Sequence, residues 1–450
     1  MNSSEPIIRV GILSSEEIEF ILKGEFFFDK KPFTGYQKAI WQDGRMLFEG
    51  EEYSELVFEP THEQDSFDLL NVVIGIGFHW ERKENQRFNG ALKIIPVEAR
   101  HAVSLQAINI IPVEKYLTSV ISSEMSATAS AELLKAHAVI SRSWLLRPIF
   151  QHSVVSWPAA SQDKEMKQAA SVPEPGFIEK WYERDAHVHF EVCADDHCQR
   201  YQGITRASTE AVAKAIELTR GQVLMYEGQI CDARFSKSCG GATETFENCW
   251  APEHHPYLNK IFDNTVTPED FGTDLTVEEN AEKWVRQRPE AFCNTSDKKI
   301  LAQVLNNYDQ ETNDFYRWKV EYTQDEIAEI IRRRSGIDFG PIADLVPIKR
   351  GESGRIIQLK IVGAKQTIVV GKELEIRRWL SNSHLYSSAF VVDKYSIVDG
   401  IPGKFILSGA GWGHGVGLCQ IGAAVMGEKG YKYIEILSHY FKNSELKRIY

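Results

Sequence analysis

The chain has 450 residues, of which 43% are apolar and 25% charged, and its 63 acidic against 51 basic residues leave a formal net charge of −12. This is an ordinary globular balance that allows about two or three domains and a sizeable core. It argues against a nucleic-acid surface, because phosphate binding needs clustered Lys and Arg and no long basic run is present. No stretch approaches the roughly 18 apolar residues of a membrane helix. The start, Met1 to Leu13, lacks the basic opening and apolar run of a secretory signal. On that reading the protein is cytoplasmic, or its leader has been removed or was never included.

In chain order, short strands are expected at 6–12, 45–49, 55–59 and 70–78, from period-2 or fully apolar runs separated by turns. Residues 1–96 are therefore a β-rich N-terminal region. The period then changes: Ser130 is positioned to cap a helix running to about Arg147 whose broad apolar band includes Leu133, Leu134, Ala138, Ile140 and Trp144, so it should be mostly buried. Residues 151–176, rich in Ser, Ala, Gln and Pro, read as a surface loop. A helix follows at 209–218, with strands at 222–226 and 230–236. Residues 273–345 carry helical patterns with polar faces (EENAEKWVRQ, DEIAEIIRRRSG) and are expected to form a peripheral helical insertion. Strands return at RIIQLKIVG, QTIVVG, AFVVDKY and KFILSG, and the tail gives a helix from Gln420 and a second ending near Tyr440. The fold class is α+β: β-rich, with a helical core carrying the chemistry (97–272 and 346–450) and the helical insertion between its halves.

Two segments carry candidate chemistry. In VEKYLTSVISSEM, Val113 to Met125, a single acid, Glu124, ends an apolar stretch containing Leu117, Val120 and Ile121. Apolar surroundings disfavour a carboxylate and suit a general acid near neutral pH; taken alone, the pattern reads first as a helix-end carboxylate. GAGWGHGVGLCQIGA, Gly409 to Ala423, has six glycines among fifteen residues. Glycines let backbone approach a ligand closely, and they leave the ring of His414 accessible, with Gln420 following at a helix start. No Lys follows to make it a phosphate loop. A tight structural turn with a satisfied histidine is the competing reading.

Together these segments resemble the stage II sporulation protein D and amidase enhancer (LytB) family. VEKYLTSVISSEM and AELLKAHAVISRSWLL are similar to that family's opening motif. LTRGQVLMYEGQICDARFSKSCGGATE is similar to its middle segment, and GWGHGVGLCQIGAAVMGEKGYKYIEILSHYF to its closing signature. GRIIQLKIVG, ELEIRRWL and SSAFVV fit its late β segment. The resemblance spans about 97–450. It implies a lytic transglycosylase acting on peptidoglycan glycan strands, located in the cell envelope or periplasm. There one Glu protonates the glycosidic oxygen and then takes a proton from the sugar's own 6-hydroxyl, closing a 1,6-anhydro ring. Because the substrate supplies the nucleophile, the second carboxylate of ordinary glycosidases is not needed. Glu124 matches the family's acid. Ser126 stands where Pro is usual, His137 where Gln is common, and Cys419 where Ser is usual, which leaves room for a changed substrate or redox sensitivity.

There are seven cysteines. Cys193, Cys198, Cys231 and Cys239 fall in one stretch with Cys249 just beyond, which favours metal binding or reactive thiols over a disulfide framework. HVHFEVCADDHCQRY offers His187, Cys193, His197 and Cys198 as zinc ligands, and some members of the resembled family carry zinc in a similar segment. Adjacent ligands at 197 and 198 strain the geometry, so water or His189 is an alternative, and Cys239 is close enough in sequence to be considered. The competing reading is a surface loop with free thiols. Arg142 is a candidate clamp for a substrate carboxylate, Tyr116 and Trp144 for stacking on sugars, and Ser236, Ser238 and Thr243 for lining the groove. Two other functions stay open: a non-catalytic glycan-binding module that stimulates a cell-wall amidase, and a zinc-dependent hydrolase.

Overall fold

A computed structural model describes residues 4–75, 81–99, 102–126, 129–153, 176–182, 187–195, 198–205, 208–266, 274–304 and 314–450. Within these the chain is a strand-rich mixture of helix and sheet. The N-terminal strands form one large sheet. Ile7–Ser15 pairs antiparallel with Ala102–Pro112, which pairs with Ala91–Ala99. Glu17–Phe28 pairs with Lys31–Gln42 and with Ser66–Ile74. Alternation sets one face inward, with Ile8, Val10, Phe20, Phe26, Phe58 and Phe67 fully buried. The residues expected as strands at 45–49 and 55–59 are Arg45–Phe48 and Leu56–Pro60.

Ala102–Pro112 runs straight into the first helix. Pro112 is its N-cap at φ −61 and ψ 144, a conformation proline favours, and its missing N–H costs nothing there. The helices are α1 Val113–Glu124, α2 Ala131–Ser153, α3 Glu210–Leu218, α4 Glu278–Arg286, α5 Lys298–Val304, α6 Gln324–Ser335, α7 Glu373–Trp379, α8 Gln420–Glu428 and α9 Tyr433–Tyr440. Ser130 caps α2 as expected, its Oγ accepting the Leu133 N–H at 3.3 Å. The helix runs on through Pro148 to Ser153. It is the central helix of the larger core: Leu133, Leu134, Val139, Ile140, Leu145 and Leu146 are fully buried, at about 1.5–3 kcal/mol each. Helices α1, α3, α8 and α9 and the strand Gln222–Tyr226 pack against it. Most of the loop expected at 151–176 lies outside the described residues.

A second core is built mainly from residues 318–407. Ile342–Arg350, Ile356–Gly363 and Thr367–Gly371 form a sheet, and α6 and α7 bury Ile327, Ile331, Ile376 and Trp379 in the same apolar cluster. Residues 273–345 are not wholly helical: Arg317–Thr323 pairs with Ile401–Ala410 from Arg317↔Ala410 to Thr323↔Lys404. In RWKVEYT the partly or fully buried Trp318, Val320 and Tyr322 alternate with exposed Lys319, Glu321 and Thr323, a strand period set between two helical ones.

Candidate functional site

Two chain segments far apart in sequence lie side by side to make the glycine loop. Phe235–Ser236 pairs parallel with Leu418–Cys419, and Ser238 and Glu244 bridge to Trp412 and Val416. A Cβ on Gly415 would fall 2.4 Å from the Arg355 guanidinium carbon, and one on Gly417 2.1 Å from the Arg234 carbonyl oxygen. Both residues have positive φ, so glycine is required twice over. Arg355 is fully buried. It donates to the carbonyls of Gly413 at 3.1 Å and Cys239 at 3.2 Å and to Ser353 Oγ at 2.9 Å. Ser353 Oγ in turn donates to the buried Glu244 carboxylate at 2.6 Å, which also accepts the N–H groups of Thr245, Glu352 and Ser353. Glu244, which ends the GGATE run, therefore holds the loop rather than facing a ligand. A clamp made across 110 intervening residues gives Glu244 and Arg355 no local sequence pattern.

His414 Nδ1 accepts the Val416 N–H at 3.0 Å. Burial, then Arg234 and Arg355, hold its pKa well below the usual histidine value. The ring is thus a neutral group, with Nδ1 accepting from Val416 and its N–H directed at the Phe235 backbone. Ser236 lies beside Gly413, and its buried Oγ has no hydrogen-bond partner among the described residues.

The remaining candidates face inward. Gln420 is 2% exposed, and its Nε2 donates to His137 Nε2 at 3.1 Å. This leaves Nδ1–H of His137 for Ser141 Oγ at 3.2 Å. Burial, with Lys237 nearby, pushes the His137 pKa down to about 3. Gln420 supports the loop from below and is not available to a substrate. Arg142 is buried and bidentate to Glu114, at 3.0 Å and 2.6 Å, and Glu114 also accepts the Gly221 N–H and the Tyr450 hydroxyl. This ion pair ties α1, α2 and the C-terminus together, so Arg142 is no substrate clamp. Tyr116 is fully buried and stacks on Tyr201 at 4.9 Å, away from any sugar. Ser238 and Thr243 are also buried: Ser238 Oγ accepts the Gly240 N–H at 3.4 Å, and Thr243 Oγ1 donates to the Asn259 carbonyl at 3.1 Å. Trp144 is 6% exposed.

Glu124 is the last residue of α1 and partly exposed. Leu117, Val120 and Ile121 are fully buried, so the apolar stretch is the core side of the helix and the acid stands at its rim. Two residues on, the Ser126 N–H donates to the Gln303 carbonyl at 2.9 Å. The next carbonyl, of Val304, accepts Lys237 Nζ at 2.6 Å. Gln303 also accepts the Ser130 N–H at 3.0 Å and donates to Glu428 at 2.6 Å. The end of α5 thus joins the corner that carries Glu124 to the strand beside the glycine loop. Lys237 was not singled out in the sequence. The alternation of Ser236, Lys237 and Ser238 is the one signal for it, because it turns the lysine away from the two buried serines. Residues 127–128 and 305–313, adjoining this corner in sequence, lie outside the described residues.

The Cys/His segment sits elsewhere, on the edge of the N-terminal sheet, where Val192–Cys193 adds parallel to Ile7–Ser15. His187 Nε2 and Cys198 Sγ are 3.3 Å apart. The donor atoms of His187, Cys193 and Cys198 all lie within 4.8 Å of one another, a spacing that fits three ligands of a tetrahedral ion. His197 lies outside the described residues, His189 is exposed, and Cys239 does not join this group. The segment borders a cavity of about 330 Å³ against the sheet.

Residues 101–226 match the family model described as stage II sporulation protein. Stage II sporulation protein D of Bacillus subtilis is 30% identical over 173 residues, 38% of this chain and 44% of that one. The chain resembles the stage II sporulation protein D and amidase enhancer family, most directly over residues 101–226. The amidase enhancer of Bacillus subtilis is 26% identical over 243 residues, 52% of this chain and 32% of that one. An uncharacterized protein of Brachyspira hyodysenteriae is 24% identical over 426 residues, 93% of this chain and 90% of that one. Residues 244–417 match a second model, described as a domain of unknown function (DUF8618). The family match therefore covers α1, α2 and the Cys/His segment, and the second match begins at the Glu244 clamp. The resemblance points to a cell-wall role. No helix among the described residues is long and apolar enough to cross a membrane.

Proposed function

We propose that this protein is a peptidoglycan lytic transglycosylase of the cell envelope with Glu124 as its one acid–base. The observation that carries the reading is the position of Glu124: a part-exposed acid ending an apolar helix, joined through Gln303, Val304 and Lys237 to the strand beside the glycine loop. Glu124 gives its proton to the glycosidic oxygen as the C–O bond breaks. The resulting carboxylate accepts the 6-hydroxyl proton while that oxygen bonds to the anomeric carbon. The glycine loop around His414 is the surface along which the sugar would lie. His187, Cys193 and Cys198, with His197, would hold a zinc ion that fixes the 187–202 segment against the N-terminal sheet and takes no part in bond cleavage.

The test is Glu124→Gln incubated with purified glycan strands, with products read by mass spectrometry. Loss of a general acid costs about 10²–10⁴-fold, so anhydro-muropeptides should fall by that much at equal folded protein. Undiminished product rejects the assignment. The similarity to an amidase enhancer favours one second reading, in which the same surface binds glycan without cleaving it and stimulates an amidase. Tight glycan binding by wild-type protein, with no turnover, would select it.

A further inference from the structure

Beneath the glycine loop, four side chains from three parts of the chain converge. Cys239 follows the Phe235–Ser236 strand, Asp263 and Cys293 come from the 244–417 region, and Cys419 caps α8. All four are buried, and one donor atom from each lies within 4.8 Å of every other. Cys239 Sγ and Cys293 Sγ are 3.7 Å apart. Tetrahedral zinc with thiolates at about 2.3 Å requires a sulfur–sulfur edge of about 3.8 Å. A bridging iron–sulfur cluster would need its thiolates spread wider than this group permits.

The surroundings are arranged for bound anions. Cys419 Sγ accepts the N–H groups of Cys239 at 3.2 Å and Gly422 at 3.4 Å, at the N-terminus of α8, where partial positive charge favours a thiolate. Asp263 is wholly buried. Its Oδ1 accepts the Tyr440 hydroxyl at 2.6 Å and its Oδ2 the Cys293 N–H at 2.8 Å, contacts that aim a ligating carboxylate. Its one ion-pair partner among the described residues is His439, at 3.8 Å. Arg317, the nearby guanidinium, donates to the carbonyls of Gln287, Gly240, Tyr316 and Trp284 instead. A buried carboxylate beside three thiols, without a full counter-charge, is costly unless a cation joins it.

We infer that Cys239, Asp263, Cys293 and Cys419 form a closed structural zinc site that fastens the 244–417 region to the floor of the glycine loop. The ion displaces the thiol protons to solvent and has no open position for substrate. This site is separate from the His187–Cys198 segment and independent of whether the protein cleaves glycan. It also gives Cys419, which replaces the family's usual serine, a ligand's role in place of an exposed redox one.

The test is zinc content per full-length chain, by plasma mass spectrometry after gel filtration under reductant. Wild type is compared with Cys193→Ser/Cys198→Ser, which removes the loop thiols, and with Cys293→Ser, all three checked by circular dichroism. The double variant should keep about one zinc per chain, and its cobalt-substituted form should show thiolate-to-cobalt charge transfer. Cys293→Ser should hold about one zinc fewer than wild type. A folded double variant without zinc, or one whose thiol count reveals a Cys239–Cys293 disulfide, overturns the site. If Cys293→Ser fails to fold, the double variant decides alone.

Discussion

Removing one half of the Arg142–Glu114 pair strands a charge in the core, at about 3–5 kcal/mol. Arg142→Met should therefore lower the free energy of urea unfolding by that amount, with cleavage per folded molecule unchanged. A proportional loss of activity at full stability would return Arg142 to the substrate. His137 has the opposite character, a buried base kept neutral. Its folded pKa of about 3 lies below the ordinary 6.5, so the unfolded chain binds the extra proton between those values. The stability that comes from its neutrality is complete above about pH 6.5 and drains away as pH falls toward 3, at about 1.4 kcal/mol per unit for one group. Thermal melts of His137→Gln should show a shallower acid slope than wild type by that increment; parallel slopes would mean His137 is charged in the fold. Glu124 stands out as a candidate at this scale because its motif is continuous in sequence. Asp263 was not, because its partners come from positions 239, 293 and 419, and only folding brings them together.

The glycine loop tests the elements. Gly415→Ala drives a Cβ into the Arg355 guanidinium and also sits at φ +78, whereas Gly430→Ala at φ +89 meets open space. The second should cost about 1–2 kcal/mol for the left-handed backbone alone. The first should cost several kcal/mol more, measured as the difference in urea unfolding free energy; equal costs would mean Arg355 does not brace the loop. Helices were readable here because their caps are local: Ser130, expected as a cap, accepts from Leu133, and Thr209 accepts from Val212 in the same way. The long hairpin from Glu17 to Gln42 escaped notice because its turn is Asp29–Lys30. Both residues take positive φ without the Asn-Gly or Asp-Gly signal that announces such a turn. The Arg317–Thr323 strand was hidden between helical patterns, and its partner lies some eighty residues away in Ile401–Ala410.

At the scale of the whole molecule, the chain's end returns to its middle. Glu445–Arg448 pairs antiparallel with Gln222–Tyr226, and the Tyr450 hydroxyl reaches the buried Glu114 at 2.6 Å. Deleting residues 445–450 should thus weaken the α1–α2 core far from the cut, seen as faster amide hydrogen exchange in α1 and α2. Exchange altered at the 222–226 edge alone would show the tail to be local trim. The α+β class and the order of its parts follow from periodicity, yet the joining of the glycine loop to the helical core rests on contacts that cross the 244–417 region.

The most direct test of Glu124 as the acid of an intramolecular ring closure is digestion of glycan strands by wild-type protein in heavy-oxygen water. The products should be anhydro ends, lighter than hydrolysed ends by one water and carrying no solvent oxygen, and Glu124→Gln should reduce them about 10²–10⁴-fold. Reducing ends labelled with solvent oxygen, or anhydro ends that persist undiminished in the variant, would contradict the account.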